Sequence, residues 1–333
     1  MKSIKLAIDI GSSKTAIYQV GAGVILSEPS IVAVSNEDKR GINAVGHAAK
    51  RLLGKAGKST SVFSPILEGE IEKDAAAQMM LQDFLKKIEI NKFGSNAEAL
   101  VTVPCGTENP AVRRFKDIFA ACGVTKVTFI ESSIAAAVGL DAPVSAATPC
   151  FVIDMGGGVT NIAAVSFDGV IAGLSANIGG NNVDNMMIDY IEENYRLRIG
   201  AQTAEKIKCE IGSLLPGDTN SMVINGRDID TGSPRSMHVK AEDVMEIIKL
   251  YVNKVYEIAS MVMAKLPPEV SAEIRNSGIY LAGGLSKIIG MEEYFLNEFA
   301  VHAKVNTDPE LAAVIGAGRI MQNEKLYKRL RFN

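Results

Sequence analysis

The chain carries no tryptophan, only three histidines and only four cysteines in 333 residues. His47, His238 and His302 stand far apart without metal-ligand spacing, and Cys105, Cys122, Cys150 and Cys209 contain no C-x-x-C pair. That argues against a zinc centre or a disulfide framework, and four buried thiols in a reducing compartment are expected instead. No uncharged apolar stretch reaches the roughly 18 residues that a bilayer span requires. The opening MKSIKLAIDIGSS is a short apolar run interrupted by Asp9, unlike a secretory signal. A basic excess is missing too. Against 35 Lys+Arg stand 38 Asp+Glu, a net charge of −3, so no nucleic-acid partner is expected. These absences leave a cytoplasmic globular chain as the expectation. Its 47% hydrophobic content excludes intrinsic disorder, and its length suits two domains or one two-lobed unit.

What is present is a repeat. IKLAIDIGSSKT (4–15) and CFVIDMGGGVT (150–160) both end in D-x-G-x-x-x-T, at Asp9-Gly11-Thr15 and Asp154-Gly156-Thr160. Each runs into a second strand-like segment, TAIYQV or TNIAAVSF, so each motif predicts the tip of a β-hairpin. No G-x-x-x-x-G-K-[ST] or G-x-G-x-x-G fingerprint argues for a strand-to-helix phosphate loop. Glycine lets such a tip approach an anion closely. Successive N–H groups of Ser12, Ser13 and Lys14, or of Gly157 and Gly158, suit phosphate oxygens. A carboxylate at the loop base repels phosphate but suits the hydrated Mg²⁺ that accompanies it. Two such tips facing each other predict two lobes closing on a nucleotide. A third loop, GIYLAGG (278–284), reads as a strand entering Gly283 and Gly284 ahead of the helical pattern SKIIGMEEYFLNEF.

The remaining chain alternates strands and helices, which predicts an α/β fold. After Pro110, Val112, Phe115, Ile118, Phe119 and Cys122 share one helical face. A strand over 124–130 and a small-residue helix over 132–140 follow, and Pro143 to Pro149 reads as a connection between lobes. Helices are predicted over 179–200, 203–213, 241–265 and 309–329. Short strands with Asn-Gly and Gly-Ser-Pro turns are predicted over 218–240.

The segments DIGSSKT, SEPSIVAVS, VGHAAKRLLGK, VTVPCGTENPAVRR, VIDMGGGVTNIAAVSFDGVI, IGGNNVD, YRLRIGAQTAEKIKCEIGS and LAGGLSKIIG resemble, in order, those of the bacterial actin MreB family. The resemblance runs from about residue 4 to about residue 320. It implies an actin-like two-lobed ATPase fold of duplicated mixed sheets flanked by helices, with ATP (GTP left open) and Mg²⁺ between the lobes. Lobe I would be 1–144 with an insertion around 34–75, and lobe II 145–333 with an insertion around 180–245. By position, Gly11, Ser12, Ser13 and Lys14 would hold phosphates from lobe I, and Gly156, Gly157, Gly158 and Thr160 from lobe II. Asp9 and Asp154 would organise the waters of Mg²⁺. Glu205 and Lys208 would bracket the ribose, although without the resemblance they read as an i, i+3 ion pair on a solvated helix face. Gly283, Gly284, Leu285 and Ser286 would back the adenosine.

The resemblance further implies head-to-tail filaments of the protein itself, cell-shape determination, and partnership with paralogues and cell-wall elongation proteins. Peripheral membrane contact is open, through Ile90 and Phe93 or through the basic tail KLYKRLRFN (325–333), which reads more readily as a solvated helix end that packs its apolar residues. The kinase reading within the same superfamily finds no acid or base motif for an acceptor. A filament for organelle or plasmid positioning is the other alternative. One departure bears on chemistry. Where the family has Glu-Glu-Pro before its Ala-rich helix, this chain has Glu131-Ser132-Ser133. The water-positioning carboxylate is thus replaced by Ser132, with Glu131 as a doubtful substitute, and slow hydrolysis is expected.

Overall fold

The computed structural model describes residues 4–37, 41–89, 97–124 and 126–333, and in it the sequence repeat extends to whole sheets. In the first half, β1 (Ile4–Ile10) and β2 (Lys14–Gln19) form the first hairpin, extended antiparallel by β3 (Gly23–Pro29). β4 (Val32–Ser35), β5 (Ile42–Val45) and β6 (Thr60–Phe63) make a separate small sheet, with α1 (His47–Lys50) following β5. A short hairpin, β7 (Ile66–Leu67) and β8 (Glu70–Ile71), precedes α2 (Asp74–Lys87). The chain then returns through β9 (Ala97–Val103), α3 (Asn109–Ala121), β10 (Lys126–Glu131) and α4 (Ser132–Gly139). The main sheet runs β10-β9-β1-β2-β3, with β1 parallel to β9 and β9 to β10. Every residue of β9 is buried, as a central parallel strand covered on both faces requires.

The second half repeats this order. β11 (Cys150–Met155), β12 (Thr160–Ser166) and β13 (Gly169–Ala176) are followed by α5 (Gly180–Tyr195), β14 (Leu197–Arg198) and α6 (Ala201–Ile211). β15 (Ser221–Asp228) and β16 (Pro234–Lys240) complete a small sheet with β14. Then come α7 (Ala241–Met263), α8 (Pro268–Ser277), β17 (Ile279–Ala282), α9 (Met291–Phe299), β18 (Ala303–Val305), α10 (Ala312–Gln322) and α11 (Glu324–Leu330). The sheet order β13-β12-β11-β17-β18 matches the first sheet strand for strand, with parallel pairs at the corresponding places.

Helices α4 and α10 cross between the sheets at a contact only small residues allow. A Cβ on Gly139 would overlap the Ala312 carbonyl, and one on Gly316 the Ala135 carbonyl. Ala135, Ala136, Ala137, Ala313 and Ala317 are buried in this core beside larger residues such as Ile134, Val314 and Ile320.

The structure redraws several predicted elements. The helix from 179 stops at Tyr195, because Arg196 turns left-handed (φ 53°) and Leu197 begins β14. Asn225-Gly226 lies inside β15, and the reversal falls at 229–233, organised by the Asp228 carboxylate accepting from Asp230 N, Thr231 N and Thr231 Oγ1. The run 286–299 splits at Gly290 (φ 80°), where a Cβ would strike Leu215. The run 309–329 breaks at Asn323, whose extended backbone ends α10 and whose side chain caps α11 by accepting from Leu326 N.

The chain's end crosses back to the first sheet. Tyr327 donates to Glu98 Oε1 (2.6 Å), and Phe332 exchanges both backbone hydrogen bonds with Phe129. Tyr327 and Leu330 are buried there, so the packed-helix reading of the tail holds for its apolar residues. Ile90 and Phe93 lie outside the described residues. No helix among the described residues is long and apolar enough to cross a membrane. The cysteines are free, but only Cys150 is fully buried, and Cys209 is exposed.

Candidate functional site

The two hairpins have the same register: Ile10 faces Thr15 and Asp9 faces Ala16, while Met155 faces Thr160 and Asp154 faces Asn161. Both tips close with the same bond, Gly11 N–H to the Lys14 carbonyl and Gly156 N–H to the Val159 carbonyl, each 3.0 Å. The tips meet. A Cβ on Gly157 would stand 2.5 Å from Ser13 Cβ, and one on Gly158 2.5 Å from Ser12 Oγ. Beside this junction lies a cavity of about 430 Å³. Gly11, Ser12, Ser13 and Lys14 line it from one hairpin, and Gly156, Gly157 and Gly158 from the other.

Asp9 and Asp154 also face the cavity. Burial raises both carboxyls, and Asp154 is pushed up to about 7, with the like charge of Asp9 adding to burial. The opposing influences are weaker: Thr102 Oγ1 donates to Asp9 (2.5 Å), Lys14 lies near Asp9, and Asn161 Nδ2 donates to Asp154 (3.4 Å). Two mutually repelling carboxylates beside two glycine-rich tips are a donor set that suits Mg²⁺ held by one or two carboxylates plus phosphate oxygens. Thr102 and Asn161 were not singled out from sequence. Both lie inside segments the sequence already marks, Thr102 in VTVPCGTENPAVRR and Asn161 directly after Thr160 in the repeat, but no spacing assigns either a role.

The second tip is pinned from behind. Gly180 N–H donates to the Gly156 carbonyl (3.0 Å) and Asn181 N–H to that of Gly157 (2.8 Å). Lys208 Nζ in turn donates to the Gly180 carbonyl (2.9 Å) and lies 2.7 Å from Asp184 Oδ1. Lys208 lines the cavity but is committed to this support. Glu205, also lining it, pairs with Lys50 Nζ at 2.6 Å. The i, i+3 pair between Glu205 and Lys208 is therefore not made, because each finds a partner from another element.

Three predicted contacts are displaced. Thr160 is fully buried behind the tip, donating to the Ile178 carbonyl (2.8 Å) and sharing a bond with Tyr251 Oη (2.9 Å), so it does not line the cavity. Ser286 turns inward to the Gly283 carbonyl (2.7 Å), while Gly283, Gly284 and Leu285 do line it. Gly283 is obligatory there: its φ is 82° and a Cβ would overlap the Met155 backbone. Glu131 is the third. Its carboxylate accepts from Gly106 N–H (3.3 Å) beside Cys105, away from the cavity, whereas Ser132 lines the wall and donates to the Val103 carbonyl (3.1 Å). Glu131 ends β10 and Ser132 opens α4, and at this junction Ser132, not Glu131, is the residue that lines the cavity.

The β7–β8 turn was missed as well. Gly69 N–H donates to Ser12 Oγ (3.2 Å) and Glu68 accepts from Asn177 Nδ2 (2.7 Å), so this turn touches both hairpins' surroundings. Its signal was the Glu68-Gly69 pair, both left-handed (φ 51° and 77°), directly after the apolar Ile66-Leu67.

A family model described as MreB/Mbl protein matches residues 3–329. The chain belongs to the MreB/Mbl family. The cell shape-determining protein MreB of Escherichia coli (strain K12) is 33% identical over 328 residues, covering 97% of this chain and 94% of that protein. Mbl of Bacillus subtilis (strain 168) is 29% identical over 326 residues, covering 97% and 98%. The structure of MreB5 of Spiroplasma citri bound to ADP superposes with a TM-score of 0.92 at 28% identity, covering 98% of each chain. A MamK double helical filament gives a TM-score of 0.79 at 20% identity, covering 97% and 99%, a likeness of fold alone. The fold of this MreB/Mbl chain is the actin-like one: duplicated mixed sheets flanked by helices, with the cavity between them.

Proposed function

We propose that this protein is an actin-like filament protein of the cell-shape type that binds ATP with Mg²⁺ in the cleft and hydrolyses it slowly. The carrying observation is the meeting of two like hairpin tips beside a cavity lined by Asp9 and Asp154. The bound nucleotides of MreB5 and the filament of MamK support the same reading. Ser12 to Lys14 and Gly156 to Gly158 would hold phosphates, Glu205 the ribose, and Gly283 to Leu285 the nucleoside. Mg²⁺ would neutralise charge on the phosphates when bound, with Asp9 and Asp154 holding its waters. Self-association comes first among the partners, and paralogues and cell-wall elongation proteins follow by family.

Slow hydrolysis follows from Ser132. Phosphoryl transfer depends on positioning and electrostatics, and a hydroxyl already donating to Val103 cannot take a proton from water near neutral pH. The kinase alternative has no supporting observation in the cavity wall. The test is sedimentation with ATP, ADP or no nucleotide, with phosphate release recorded in the same tube. ATP-dependent pelleting with little release is the expected result. No pelleting under any condition would overturn the filament reading, and brisk release would overturn the slow-hydrolysis part.

A further inference from the structure

At the rim of the cavity, two elements from different halves are joined. Lys50 ends α1, and its Nζ lies 2.6 Å from Glu205 Oε2 and 2.8 Å from Oε1 on α6. Gln202, one turn earlier on α6, donates its side-chain amide to the Lys50 carbonyl. Helix α1 is itself held to the first sheet. His47 N–H donates to Glu28 Oε2 (3.1 Å), Glu28 pairs with Lys87 (2.7 Å), and Gly46 takes φ 65° to let the Glu28 carboxylate in. Opening the cleft at this rim must therefore break an ion pair and a hydrogen bond instead of bending a loose loop.

We propose that Lys50, with Gln202, forms a latch across the cleft that sets how fast bound nucleotide leaves. The proposal rests on the nucleotide reading above. Glu205 lines the cavity, so one carboxylate both faces the ligand and anchors the opposite half. Departure requires α1 and α6 to separate, and separation uncovers both ends of the pair. Because each partner is about one-third exposed, its attraction is partly screened and falls with salt. By linkage, a nucleotide that steadies Glu205 also steadies the latch, so occupancy favours closure.

The experiment is stopped-flow dissociation of a fluorescent ADP analogue with Mg²⁺, chased by excess ATP, on the full chain. Lys50→Ala should release it at least about threefold faster than the native protein. Lys50→Arg should restore a near-native rate, and Gln202→Ala should fall between. The native rate should rise with added salt, and that of Lys50→Ala should respond less. Circular dichroism spectra matching the native protein establish that the variants fold. If the native protein holds no analogue, the nucleotide reading fails and the latch with it. If it holds the analogue but Lys50→Ala keeps the native rate, or the native rate ignores salt, the latch alone is overturned.

Discussion

Gly157 and Ser13 meet across the cleft so closely that a Cβ on the glycine would stand 2.5 Å from the serine's own. The contact joins the tips of two hairpins from opposite halves, and it leaves no slack for a side chain. The atom in the way is a Cβ fixed to backbone, so the clash cannot be relieved by rotating a side chain. Gly157→Ala should force the tips apart and weaken nucleotide binding by about tenfold or more, since displacement of a positioning group by a fraction of an ångström is costly. Equilibrium titration with a fluorescent nucleotide measures this, and unchanged affinity would show that the tips do not grip the ligand together.

Asp154 offers a pH test. Without nucleotide, the folded protein holds its carboxyl proton up to about pH 7, against an ordinary value of 3.8. The folded state thus binds more protons between those values, and stability from this group declines as pH rises from about 4 to about 7, then levels off. Asp154→Asn should flatten that slope and be the more stable protein at pH 8 when ligand-free, while losing Mg²⁺-nucleotide binding. Thermal melting across pH reads the first effect and titration the second.

Ser132→Glu would return a carboxylate to the cavity wall. Phosphate release should rise by at least about tenfold, a part of the roughly 10²–10⁴-fold that a positioned general base supplies. Glu131→Gln should leave release within about twofold, because that side chain faces Gly106. A fall in release with Glu131→Gln would show that the strand end shifts in the nucleotide-bound protein.

Thr160→Val separates support from contact. The hydroxyl is spent on Ile178 and Tyr251, so its loss should cost about 1–3 kcal/mol of stability through an unsatisfied buried group. Nucleotide affinity should change far less than in Gly157→Ala. Chemical denaturation together with titration distinguishes the two.

Tyr327→Phe tests the return of the chain's end. Burial pushes Glu98 up, yet the Tyr327 hydroxyl and Lys126 outweigh it and hold the carboxyl below the ordinary range. Removing the hydroxyl should cost about 1–3 kcal/mol at neutral pH. The difference should shrink as acid protonates Glu98, because a lowered carboxyl stabilises only above its folded value. Denaturation midpoints at neutral and acid pH measure it.

What the sequence by itself determined was local and repeated. The D-x-G-x-x-x-T motifs give hairpins because apolar strand runs flank tips in which Gly11 and Gly156 pack close against the carbonyls of Lys14 and Val159. The spacing of Val112, Phe115, Ile118 and Phe119 gives α3 its buried face for the same short-range reason. Tertiary structure decided the partners. Lys50 and Glu205 are far apart in sequence, Glu98 and Tyr327 farther still, and no periodicity encodes such pairs. The junction of β10 with α4 set Ser132, not Glu131, on the cavity wall, and the partners Ile178 and Tyr251 hold Thr160 behind the tip, where it does not line the cavity. Backbone propensity acts over a few residues, whereas a charge or hydroxyl takes whichever partner packing brings within about 3 Å.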